Sequence, residues 1–134
     1  MSAIRPSILV IIATCLAAAV TLDAQPADKV DADVRELLQQ YSTALETLDA
    51  TAVKKLQPSI DADNLKKAFR EMRELDVTID NVKVLSVDGP LARISCRVTQ
   101  TLTPKAGSKQ TTAVTRVLRL RRQPIGWVID AFER

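Results

Sequence analysis

The chain has 134 residues, with 19 Lys and Arg against 16 Asp and Glu, and no histidine. That length supports a single core, a charged fraction of 26% is that of a folding chain, and no mechanism that needs an imidazole is open to it. Its aromatic residues, Tyr41, Phe69, Trp127 and Phe132, are too few for a base-stacking platform, so nucleic acid is not an expected partner.

Residues 1–24 read as a secretory signal. Arg5 and the chain amino group form the positive start, Ile8 to Val20 is an apolar and small-residue run, and Ala24 precedes the expected cleavage point at Gln25. The uncharged stretch between Arg5 and Asp23 is 17 residues, the lower limit for spanning a bilayer, so an anchor over residues 6–22 is the alternative. The expectation is an exported protein, periplasmic or secreted, with residues 25–134 as one domain and membrane contact only if the leader is retained. Cleavage removes Cys15, and Cys96 then has no partner for an intramolecular disulfide.

The first strong periodicity is helical. Val34, Leu37, Leu38, Tyr41, Leu45 and Leu48 recur at the spacing of one helix face, and Asp28, Asp31 and Asp33 crowd the start, where acids favour the helix dipole. Asp49 opens a short second helix with Val53 and Leu56 on one side. Pro58 ends it, because a proline pushes the residue before it out of the helical region. Ser59 or Asp61 caps a third helix with Leu65, Phe69 and Met72 as its apolar stripe.

At Asp76 the period changes to two. Val77 and Ile79 alternate, and the parity shifts at Asp80-Asn81, which predicts a bulge before Val82, Val84 and Val87. Asp88-Gly89-Pro90 is a turn. Ala92, Ile94, Cys96, Val98, Gln100 and Leu102 then share one face of a strand, opposite Arg93, Ser95, Arg97, Thr99 and Thr101. After a loop at 103–109, Val114, Arg116, Leu118 and Leu120 form the dry face of the next strand, and a turn at 123–126 leads to a last strand at 127–132. Helices grouped before strands joined by short turns predict an α+β domain, with three helices packed on one face of a four-stranded, mainly antiparallel sheet.

The segment "LLQQYSTALETLDATAVKKL" resembles the opening of the nuclear transport factor 2-like, or SnoaL-like, superfamily. Tyr41 sits on helix one, an aspartate opens helix two, and Leu56 and Pro58 follow. The close "LRLRRQPIGWVIDAF" is similar to the same family's ending, where a charged strand turns through glycine into Trp-x-Ile. The similarity spans about residues 30–134. It implies a cone in which a curved sheet wraps the long first helix and leaves a pocket between sheet and helices. It also implies a range of roles, from isomerases, cyclases and dehydratases to binding and dimerising modules. The catalytic members rely on pocket Asp, His or Tyr groups. This chain has no His and no acid on the even face of the 91–103 and 111–122 strands.

Five residues are candidates for a ligand pocket. Arg116 lies between Val114 and Leu118 on the face expected to be dry. A guanidinium there either anchors a carboxylate or phosphate, or the strand bends, or it reaches the pocket mouth and pairs with a helix carboxylate. Tyr41 is either a donor to a ligand oxygen or a core tyrosine bonded to the backbone. Gln100 is either a polar pocket group or an exposed strand end. Cys96, flanked at equal parity by Ile94 and Val98, is expected to be buried and inert. Trp127 is expected to anchor the core or a subunit contact. No catalytic residue, metal site or cofactor is expected, and the aspartates show no calcium-loop spacing.

Residues 25–90 carry 9 basic and 13 acidic side chains, and residues 91–134 carry 9 basic and 2 acidic, so an acidic helical half precedes a basic sheet half. Arg93, Arg97, Arg119, Arg121 and Arg122 could face a polyanion, a second copy of the chain, or water. The function expected from these residues is a non-catalytic ligand-binding or dimerisation module, taking a small hydrophobic or anionic ligand and pairing through the sheet. The alternative is a small-molecule isomerase, cyclase or dehydratase using Tyr41 and an acid.

Overall fold

A computed structural model describes residues 27–133; the leader and its cleavage point lie outside the described residues. Helix α1 (Ala27–Glu46) buries Val30, Val34, Leu37, Leu38, Tyr41, Ala44 and Leu45 along one stripe. Its polar side carries an Arg35–Asp31 pair at 2.8 Å, one turn apart. The helix stops in a Schellman-type turn. The Asp49 amide donates to the Ala44 carbonyl and the Leu48 amide to that of Leu45, with Leu48 at φ +54°. Glycine is the usual residue in that left-handed conformation. Here a leucine takes it, packed against the core.

Helix α2 (Ala50–Leu56) is capped as expected, with the Asp49 carboxylate accepting from the Ala52 amide at 3.1 Å. Lys54 Nζ donates to the carbonyls of Pro58 and Ile60 at 2.6 and 2.7 Å and so fixes the link to α3 (Ala62–Arg70). Of the two candidate caps for α3, Asp61 does the work, accepting from the amides of Asp63 and Asn64. Ser59 instead donates to the Asp130 carbonyl.

Four strands follow: β1 (Met72–Asp88), β2 (Leu91–Pro104), β3 (Gln110–Gln123) and β4 (Gly126–Glu133). They form one antiparallel sheet in the order β1-β2-β3-β4. The expectation of an α+β domain with three helices on a four-stranded sheet holds. Two boundaries do not. Met72 begins β1 rather than closing the helix-three stripe, because α3 ends at Arg70 and residues 72–75 pair with the far end of β2. The 103–109 loop is shorter than expected, since pairing runs on to Pro104 and resumes at Gln110.

The bulge predicted at Asp80-Asn81 is present. The register slips by one residue between Asp80 and Lys83, with Asn81 at φ +51°. Further slips near Arg73, near Leu85 and at Asp130 in β4 add curvature. The slip at Asp130 reverses parity within β4. Trp127 and Ile129 are buried on the inner face, and Phe132, three residues on, also stacks inward, its ring 6.4 Å from that of Tyr41.

The curved sheet wraps α1. Ala92, Ile94 and Cys96 from β2, Leu118 and Leu120 from β3 and Ile129 from β4 are all at most 2% exposed beneath it. Both sheet edges are partly masked. The Val77 amide on β1 donates to Glu46 Oε1 at 3.1 Å, and the Asp130 carbonyl on β4 accepts from Ser59.

Candidate functional site

The helices cover only part of the inner face, and one corner of it is left uncovered. That corner is the hairpin end of β2 and β3. The even positions that are buried at Ile94, Cys96, Leu118 and Leu120 become half-buried at Val98, Gln100 and Leu102 and exposed at Thr112, Val114 and Arg116. A hollow of about 270 Å³ lies there, lined by Val98, Gln100, Thr112, Val114, Arg116 and Phe132. The register sets Val98 beside Val114 and Gln100 beside Thr112, which makes a floor with an apolar centre and a polar end.

The even face of β3 was expected to be dry along its length. It is dry only as far as Leu118, and Arg116 is exposed. The physical reason is coverage. Parity decides which face a side chain is on, and only the length and angle of the helix decide how far that face is buried. Arg116 has no hydrogen-bond or ion-pair partner among the described residues. The pairing with a helix carboxylate, one of its three expected readings, is therefore not seen among the described residues.

The five candidates separate into two groups. Gln100 and Arg116 line the hollow, whereas Tyr41, Cys96 and Trp127 belong to the core. Tyr41 is 8% exposed and its hydroxyl donates to Gln57 Oε1 at 2.9 Å, so a side chain, not the backbone, takes that bond. Burial pushes the Tyr41 phenol up to about 12. Trp127 packs in the core near the opposite end of the sheet, with the Arg122 guanidinium 6.0 Å from its ring centre.

Cys96 is 1% exposed, and burial, with a smaller contribution from the Asp80 charge, pushes its thiol up to about 11. A thiol so held is protonated at neutral pH and is a poor nucleophile. In a Cys15→Ser chain at pH 8, Cys96 is therefore expected to stay unmodified by a disulfide reagent in the native state and to react within minutes in guanidinium. Labelling of the native protein at the denatured rate would show that the strand opens.

Sequence reasoning missed Gln57, Val98, Thr112, Val114 and Phe132 as functional or network residues. Val98, Thr112 and Val114 share parity with Gln100 and Arg116, so an extended reading of that face would have found them. Phe132 could not be found that way, because the irregularity at Asp130 turns it inward. Gln57 looked like a helix terminus and nothing more.

The outer face of the sheet is charged. Arg93 makes a bidentate pair with Glu133 at 2.7 and 3.0 Å, which holds that carboxyl below its usual range, and Arg121 lies 3.7 Å from Asp130. Asp76 and Asp80 are exposed on β1, and Arg97, Arg119 and Arg121 are exposed on β2 and β3. Among the described residues no three Cys, Asp or Glu side chains are placed to hold a metal ion. No helix among them is long and apolar enough to cross a membrane.

No protein-family model matches the chain, and no curated protein matches it. Solved structures do. A nuclear transport factor 2-like superfamily protein from Salmonella enterica serovar Typhimurium superposes with a TM-score of 0.68 at 15% identity, over 81% of this chain and 91% of that one. A dehydratase candidate of the same family from Streptomyces avermitilis gives 0.67 at 15% identity, over 80% and 95%. The hexachlorocyclohexane dehydrochlorinase LinA-type3 from Novosphingobium barchaimii gives 0.63 at 10% identity, over 78% and 84%. The chain therefore has the nuclear transport factor 2-like fold, as the resemblance in its first helix and last hairpin implied.

Proposed function

We propose that this chain is an exported, non-catalytic binding module that holds a small ligand in the hollow at the open corner of its cone and pairs with a second copy through the outer sheet face. The observation that carries the reading is the lining of the hollow. Valine, phenylalanine, threonine, glutamine and arginine offer apolar contact, hydrogen bonds and positive charge, but no group that exchanges a proton near neutral pH. The enzyme alternative needs a tyrosine and an acid at one point. Tyr41 is engaged with Gln57 outside the hollow, and no carboxylate is among the lining residues. Export is supported by the pattern of residues 1–24.

Pairing is supported by the charge layout of the outer face. A two-fold axis lying in the interface plane, perpendicular to the line that joins the Asp76 and Asp80 cluster to the Arg119 and Arg121 cluster, turns the two outer faces toward each other. It lays the Asp76 and Asp80 side of one copy over the Arg119 and Arg121 side of the other, an isologous and self-complementary contact. Native mass spectrometry of the chain, before and after incubation with a metabolite extract, tests both parts together. The expected spectrum is a dimer that retains a small molecule. A bare monomer under both conditions would overturn the proposal.

A further inference from the structure

We infer that the hollow takes a compact monocarboxylate, with Arg116 gripping the carboxylate and Val98, Val114 and Phe132 enclosing an apolar body. This rests on the binding reading above and narrows it to one ligand chemistry. Three observations lead to it.

The first is the state of Arg116. Elsewhere, Arg93 is bound to Glu133, Arg121 lies near Asp130 and Arg35 is bound to Asp31. Arg116 stands on the concave face, beside the hollow, without an acidic partner among the described residues. Its planar fork matches a carboxylate with two parallel hydrogen bonds, and no acid in the lining competes for it.

The second is the wall beside the guanidinium. Val98 and Val114 are cross-strand neighbours, and Phe132 closes one side. An inorganic anion would satisfy Arg116 and leave these apolar surfaces wet. A ring or branched chain attached to the carboxylate covers them. Gln100 and Thr112 pair across the strands at the far end, where they can meet a second polar group.

The third is size. A volume of about 270 Å³ falls just below the roughly 300–1,000 Å³ of pockets that take drug-sized ligands. That limits the occupant to one ring or a short branched chain.

The test uses the full chain labelled with ¹³C at valine methyl groups, titrated with benzoate and, separately, with benzamide, which has the same shape and no charge. The expected result is saturable movement of the Val98 and Val114 methyl signals with benzoate, and binding at least about tenfold weaker with benzamide. Arg116→Gln should weaken benzoate binding by a similar factor, and Arg116→Lys should recover part of it. Arg116 is exposed, so the remaining methyl signals report that the variants stay folded. Equal binding of both probes, unchanged in Arg116→Gln but lost in a hollow-filling Val114→Trp variant, would overturn the carboxylate assignment and leave the hollow as a ligand site. No movement with either probe at millimolar concentration would overturn both.

Discussion

Ile94→Ala is expected to lower the unfolding free energy by about 2–5 kcal/mol, among the largest losses expected of a core truncation in the described residues. Ile94 is 0% exposed, on the inner face of a central strand, with Leu118 beside it on β3 and Val84 on β1. Truncation removes buried methylenes at a point enclosed by a helix above and strands on both sides, so little can move in to fill the space. Ile125→Ala supplies the contrast. Ile125 is 88% exposed at the β3–β4 turn, and its truncation should change stability by no more than about 0.5 kcal/mol. Urea unfolding of both variants followed by circular dichroism checks the pair. A loss below about 1 kcal/mol for Ile94→Ala would mean that α1 is not seated on the sheet as described.

The second large effect belongs to Tyr41 and Gln57. Tyr41→Phe removes the donor from a carbonyl oxygen on a residue only 9% exposed, and the cost is expected at about 1–3 kcal/mol. The double variant Tyr41→Phe/Gln57→Leu should recover part of it, since no polar group is then left unpaired. The pair also sets an alkaline limit. The folded phenol sits at about 12 against an ordinary value of 10.0, so folding favours the neutral form. Its contribution is complete below pH 10 and is lost as pH rises through 12, where the unfolded chain gains by ionising first. Two pH units correspond to about 3 kcal/mol. Cys96 acts with the same sign from pH 9.0 up to about 11. Stability should therefore start to fall near pH 9, Cys96→Ala should delay the onset to about pH 10, and adding Tyr41→Phe should flatten the remaining slope to pH 12. A slope unchanged in both variants would assign alkaline unfolding to other groups.

Much of this architecture is legible in linear order because its signals are local. The stripe of α1, the caps at Asp49 and Asp61 and the parity shift at Asp80-Asn81 each depend on residues within a few positions of one another. The left-handed Leu48 is also local, yet nothing in the composition marks it, since glycine is the residue that would announce such a turn. The start of β1 at Met72 was hidden for a different reason. A single methionine fits either a helix stripe or a strand, and only pairing with Pro104 decides between them.

The hollow shows where linear reading stops. Parity placed Gln100 and Arg116 on the inner face, but it also placed Cys96 there, and it said nothing of which stretch a helix would cover. Tyr41 and Trp127, chosen for their chemistry, are core residues. Sequence alone determined the element order, the antiparallel meander, the two-faced strands and the separation of an acidic helical half from a basic sheet half. Those follow from periodicity and charge, which belong to each segment. Tertiary structure decided that α1 leaves one corner of the sheet bare, that an irregularity in β4 turns Phe132 inward, and that the Tyr41 hydroxyl is taken by Gln57. Each of those depends on how far apart two elements lie and at what angle they cross, and no single segment carries that information.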